Sequence, residues 1–333
     1  MRTKINYTDP PAPGRRAGLF IPVSNDASGA GQFPLRVETF RAQHGSVPIR
    51  EPIDPKQWSF YEGGEALTSV DVTVEDARRF PVAPRLASHG FELIPLPSAS
   101  EDMSLVKTDS ADTKAYYNQV ESMLQEHLLA DAALSFCHVR RSSSNTVKRE
   151  TAGGGYANYI HADNSASSWS AILRQLVREG SWLETGPSGI PISVAERAAA
   201  ARRYAVIAAW RYIGPAPTCR SSHLVICDPN SVDPVDVLDF SLIAGDTCGG
   251  NLRLQNPATA REAGQGGGHR FCYYSGMRPD EVLSFVVYDS QPNSIFVSTP
   301  IPTCFHGAVQ DPAASEDEPE RESVDVRCLL IWD

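Results

Sequence analysis

After residue 203 the chain breaks into short apolar runs separated by turn-forming residues, and this texture limits its fold more than any other feature. Tyr204–Trp210, His223–Ile226, Val235–Phe240, Arg270–Tyr274, Val282–Tyr288, Ile295–Ser298 and Val324–Trp332 are rich in β-branched and aromatic residues at strand length. Many short strands in a row predict a sandwich or a barrel. Helical spacing appears upstream. Residues 112–134 place Tyr116, Val120, Met123, Leu124 and Leu128 on one stripe, with Ser110 as cap. Residues 168–179 do the same with Trp169, Ile172, Leu173, Leu176 and Val177, ending at Gly180. Ser193 and Glu196 read as a capping box opening a third helix. Pro10, Pro11, Pro13, Pro22 and Pro34 forbid a long helix near the start, so residues 1–60 read as an extended arm with strands at 18–23 and 35–40. The expected fold is mainly β with flanking helices (α+β). Residues 1–100 form an N-terminal arm with strands packed on a core of residues 101–333, in a single domain.

Charge narrows the partners. Thirty basic side chains stand against 40 acidic ones, a net charge of −10. A nucleic-acid binder needs a basic face, and an anionic membrane would repel this chain. No apolar run approaches the ~20 residues that span a bilayer, and residues 1–7 lack the apolar stretch of a signal peptide. The seven cysteines are odd in number and form no CxxC. They read as buried free thiols in a reducing, cytoplasmic compartment. A small-molecule partner and a monomer or homodimer fit this balance.

The chemistry gathers around a few side chains. Of eight histidines, only His161 has an Asp two residues on, in His161-Ala162-Asp163. On a strand, i and i+2 share a face, so the pair can place an imidazole and a carboxylate on one metal ion. Ferrous oxygenases take two His and one carboxylate on one triangular face, leaving the other positions open. The pair alone carries little weight. A second ligand is offered by His306, inside the apolar Thr303-Cys304-Phe305-His306-Gly307. The rival His269 follows a glycine-rich loop and has no Arg-x-Ser at suitable range. Arg321 and Ser323 open the last strand on one face, where a guanidinium fork and a hydroxyl suit the far end of a dicarboxylate. Arg327 shares that face and competes for the role. Arg211, ending an apolar strand, and His138 are candidates to touch substrate.

The order His-x-Asp, distal His, Arg-x-Ser resembles that of Fe(II)/2-oxoglutarate-dependent oxygenases. The segments 159–164, 208–211, 277–285, 288–290 and 321–327 resemble one branch, the fungal gibberellin-desaturase-like and cephem-methoxylase-related proteins. Phe136-Cys137-His138-Val139-Arg140 is similar to an Asp-His-Thr-x-Arg segment of that branch, with Cys137 in place of the Asp. A second departure is that Trp210-Arg211 is not followed directly by Pro. The resemblance is close over residues 100–333 and loose before them. It implies a double-stranded β-helix, a cupin-like jelly roll. It also implies iron held by His161, Asp163 and His306, which are then the catalytic residues, and 2-oxoglutarate as cosubstrate on Arg321 and Ser323 or on Arg327. With O₂, an Fe(IV)-oxo species would abstract hydrogen from a small metabolite, giving hydroxylation, desaturation or ring closure. Two other readings stand beside it: a cupin-like metalloenzyme that does not use 2-oxoglutarate, and a non-catalytic jelly-roll binding module.

Overall fold

The computed structural model describes residues 1–20, 23–24, 35–36, 46–48, 54–60, 67–96, 111–143, 155–163, 169, 173, 190–244, 247–256, 268–291, 301, 303–315, 317–319 and 321–333. Strands β1 (Arg2–Thr8), β2 (Arg16–Phe20), β3 (Val23–Ser24), β4 (Leu35–Arg36), β5 (Ser46–Pro48), β6 (Trp58–Phe60) and β7 (Leu67–Asp76) lead into helix α1 (Leu86–His89) and β8 (Phe91–Pro95). Helix α2 (Ala111–Leu128), β9 (Ala132–Arg141), β10 (His161–Ala162) and helix α3 (Ile192–Ala200) follow. The chain then runs through β11 (Arg203–Tyr212), β12 (His223–Cys227), β13 (Val237–Ala244), β14 (Thr247–Leu254), β15 (Phe271–Tyr273), β16 (Glu281–Asp289), β17 (His306–Val309) and β18 (Ser323–Trp332).

Two sheets carry the fold. The smaller runs β8-β16-β11-β18-β9, and the larger includes β15-β12-β17-β10 in that order. From β9 to β18 the chain passes repeatedly between these sheets, which is the double-stranded β-helix. Their inner faces meet through Val206, Ala208 and Trp210 of β11, Leu329 and Ile331 of β18, Leu283 and Phe285 of β16, and Leu224 and Ile226 of β12. The alternate residues of the small sheet, including Ile207, Ala209, Val326 and Leu330, pack on Tyr116, Tyr117, Val120 and Leu124 of α2. β18 is buried along its whole length, which explains its unbroken apolar run. On the far side of the large sheet, Ile5 and Tyr7 of β1 and Val74 of β7 close a third cluster with Ile160, Ala162 and Val225. β7 joins β15 in parallel and β1 pairs β7, so the early strands are hydrogen-bonded into the large sheet. The sheet order, not local propensity, sets which face of each strand is inside.

Several sequence expectations shift. The first long helix stops at Leu128, and Leu129 turns left-handed with φ 53. Residues 132–141 become β9 because they pair along β18. α3 begins at Ile192 without a side-chain cap, so Ser193 and Glu196 form no capping box. The carbonyl of Pro191 accepts the first helical bonds instead, from Val194 and Ala195. β14 was not foreseen, since Gly249 and Gly250 interrupt its pattern, yet it pairs along all of β13. Ser110, the strand at 295–298 and the glycine-rich loop at 261–267 lie outside the described residues. Of the helix at 168–179, only Trp169 and Leu173 are described; both are helical and buried. No described helix is long and apolar enough to cross a membrane.

Candidate metal centre

His161 on β10 is the register partner of His306 on β17 and, on its other side, of Arg253 on β14. Directly opposed residues of a ladder project from the same face. Both imidazoles therefore point between the sheets, their ring centroids 4.6 Å apart. Asp163, two residues past His161, brings a carboxylate to the same point. His161 Nε2 lies 3.8 Å from its Oδ1, and His306 Nε2 lies 3.6 Å from its Oδ2. One donor atom from each of the three residues lies within 4.8 Å of the others, and all three side chains are buried.

The backbone fixes which nitrogens face the centre. His161 Nδ1 sits 3.2 Å from the carbonyl of Tyr159, and His306 Nδ1 sits 3.1 Å from that of Cys304. A carbonyl only accepts, so each Nδ1 carries the proton and each Nε2 turns a lone pair inward. Burial and the neighbouring His306 hold the His161 imidazolium well below its usual range, so it is neutral. Two imidazole nitrogens and a carboxylate aimed at one point suit a divalent transition metal with open positions. The paired Nδ1–H groups supply the orientation such ligands need. Gly307 lets this happen: a Cβ there would meet the Tyr159 carbonyl oxygen at 2.7 Å, so β17 can approach the turn before His161 only without a side chain.

Ser323 and Arg327 lie on the inner face of β18, and Arg321 stands two residues before the strand begins; their surroundings differ. Arg327 is claimed by two carboxylates: its Nη2 lies 2.6 Å from Asp163 Oδ2, and its Nη1 pairs with Asp325. Arg321 is 2% exposed and pairs with no carboxylate among the described residues. Its Nη1 donates to the carbonyl of Ser222, and its guanidinium lies 4.3 Å from the ring centroid of Tyr156 and 5.4 Å from that of Trp210. Burial lowers its pKa to about 10. Arg321 Nε and Ser323 Oγ are buried without a hydrogen-bond partner among the described residues. Ser222 reaches this contact through a left-handed backbone, φ 49, which is strained for a residue with a side chain. The next residue, His223, is level with Val309. Arg321 thus contacts the barrel about three residues along β17 from His306, roughly 10 Å at strand rise.

Two candidates are corrected. His138 faces away from the triad. Phe136 and Cys137 both enter the inner core at a bulge opposite Arg327–Cys328, which reverses the alternation and sends His138 outward to α2. There its Nδ1 lies 2.8 Å from the Tyr117 hydroxyl. Arg211 is also on the outer face, level with Val324 and Val282, donating to the Pro279 carbonyl and lying over the Tyr116 ring. The rival His269 takes no part in the triad. Its side chain is fully buried, 3.0 Å from Asp236 and 3.2 Å from the Tyr7 hydroxyl, in a structural cluster away from the triad. Sequence reasoning missed Arg253, buried beside His161 with its guanidinium 3.8 Å from the ring centroids of both Tyr159 and Phe240. The irregular β14 pattern hid its facing.

Residues 41–331 match the family described as oxidoreductase/YMDC permease-like domain. The chain is 26% identical over 281 residues to the hydroxylase/desaturase efuI of Hormonema carpetanum, covering 79% of this chain and 83% of that protein. It is 25% identical over 299 residues to the alpha-ketoglutarate-dependent dioxygenase phiK of a fungal species, covering 86% and 91%. Among solved structures, the iron and alpha-ketoglutarate-dependent endoperoxidase NvfI aligns with a TM-score of 0.65 at 19% identity, over 100% of this chain and 98% of that one. At that identity the likeness is one of fold.

Proposed function

We propose, for a chain that belongs to the oxidoreductase/YMDC permease-like family, an Fe(II)- and 2-oxoglutarate-dependent oxygenase of secondary metabolism that oxidises a C–H bond of a small metabolite. The observation that carries this reading is the buried convergence of His161, Asp163 and His306, with both imidazoles turned donor-inward by backbone carbonyls. The hydroxylase/desaturase and dioxygenase names of the relatives support it.

In this reading the three side chains hold the iron. When bound with 2-oxoglutarate and O₂, the iron supplies the oxidising power that breaks an unactivated C–H bond. Arg321 and Ser323 take the distal carboxylate of the cosubstrate. A buried guanidinium with no carboxylate partner among the described residues and a buried hydroxyl likewise unpaired among them are both satisfied by one incoming carboxylate. Arg327 is left out of that contact because Asp163 and Asp325 already engage it. The apolar inner wall, including Trp210, Leu224 and Phe285, keeps water from the reacting centre. Where the metabolite's C–H bonds lie against this wall decides between hydroxylation, desaturation and ring closure. The early strands, hydrogen-bonded into the large sheet, support residues 1–100 as part of one unit with residues 101–333. The described cysteines are all free and buried, which supports a reducing cytoplasmic setting.

Purified without oxygen, the protein binds one Fe(II) and, on exposure to O₂, slowly releases succinate from 2-oxoglutarate. His161→Ala abolishes both. Iron-independent turnover, or undiminished iron binding in His161→Ala, overturns the reading. Iron-dependent turnover without succinate replaces it with a metalloenzyme that does not use 2-oxoglutarate.

A further inference from the structure

We infer that Arg327 is a positioning residue that makes Asp163 a one-oxygen ligand and so keeps a coordination position open at the metal; this rests on the metal-centre reading above. Both carboxylate oxygens of Asp163 face the centre, one 3.8 Å from His161 Nε2 and the other 3.6 Å from His306 Nε2. Nothing in that placement stops the carboxylate from closing on a cation through both. Arg327 does stop it. Its Nη2 stands 2.6 Å from Oδ2, a close buried ion pair. The other oxygen, Oδ1, lies on the His161 side of the centre.

The guanidinium is itself fixed. Asp325, two residues back on the same face, takes its other terminal nitrogen. Directly opposite on β9 stands Cys137, whose thiol burial pushes to about 12, so it is neutral and offers no rival charge. With one oxygen from Asp163 and two imidazole nitrogens, an octahedral ion keeps three open positions. A chelating 2-oxo acid uses two and leaves one. If Asp163 bound through both oxygens, the chelate would fill the last positions.

The test uses Mn(II) with the full-length protein and counts metal-bound water by the broadening of the Mn(II) resonance in ¹⁷O-enriched water. Wild type shows three waters. Arg327→Met combined with Asp325→Asn, which removes the guanidinium and its other partner together and leaves Asp163 to the bound Mn(II), shows two. It also binds 2-oxoglutarate about 10- to 100-fold more weakly, the usual scale for losing a group that orients a ligand. Arg327→Lys, keeping one donor toward Oδ2, returns to three. Three waters in the double variant with Mn(II) bound overturn the inference and leave the proposed function standing. Absence of Mn(II) binding by wild type overturns both.

Discussion

Replacing Arg321 by Met separates an arginine kept for a ligand from one kept for the fold. Burial moves this guanidinium from its ordinary 12.5 to about 10, a cost to the charged form of about 3 kcal/mol at 1.36 kcal/mol per pH unit. The sign is destabilising, because a cation whose folded pKa lies below its unfolded value opposes folding at every pH below both. Against this stand a charged hydrogen bond to Ser222, about 1.5–3 kcal/mol, and stacking on Tyr156 and Trp210, about 0.5–2 kcal/mol each. At the middle of these ranges the two sides offset to within about 2 kcal/mol, so the melting temperature of the ligand-free variant moves by only a few degrees. Binding behaves otherwise. Losing a buried, hydrogen-bonded charge partner costs about 2–5 kcal/mol, or roughly 30- to 4,000-fold in the Kd for 2-oxoglutarate. Arg203→Met is the matched control. Arg203 grips both oxygens of Asp289 at 2.9 and 2.7 Å, and stranding that buried carboxylate costs about 3–5 kcal/mol of stability. Calorimetry on the anaerobic, Mn(II)-loaded proteins reads the affinities, and thermal melts read the stabilities. Unchanged diacid affinity in Arg321→Met, or a stability loss matching that of Arg203→Met, refutes the reasoning.

Gly307→Ala forces β17 off the Tyr159 carbonyl, costs about 1–3 kcal/mol of stability, and weakens Mn(II) binding by moving His306; a titration followed by electron paramagnetic resonance checks it. Ser222→Gly keeps the left-handed backbone and the diacid affinity. Ser222→Val cannot hold φ 49, turns its carbonyl away from Arg321 and weakens that affinity, as comparative calorimetry shows. His138 is lowered to about 4, first by burial and then by the charge of Arg140. Unfolded chains therefore bind the extra proton between pH 6.5 and 4. Stability is full above 6.5 and falls toward 4 by about 1–3 kcal/mol. Urea midpoints across that window lose part of their slope in His138→Gln.

The strands of the second half were legible because their patterns are local. β11, β12, β16 and β18 fall within a few residues of the apolar runs that announce them. The helix at 112–134 was over-extended because Ala132–Leu134 continue an acceptable helical stripe, and only β18, far along the chain, supplies the partner that draws them into β9. Arg211 and His138 show the same limit. β11 is apolar on both faces, so its sequence does not say which side holds the site. A single bulge at Phe136–Cys137 reverses the parity of His138.

The amino-acid order by itself determined the chemical inventory: the His161/Asp163 pair two residues apart, a late histidine in an apolar run, and two arginines six residues apart at the final strand. Each rests on a repeat no longer than a few residues. Only the tertiary structure decided that His306 stands opposite His161. It alone gave Arg327 two carboxylates and left Arg321 with none among the described residues, because a side chain's counter-charge comes from strands that sequence spacing does not order.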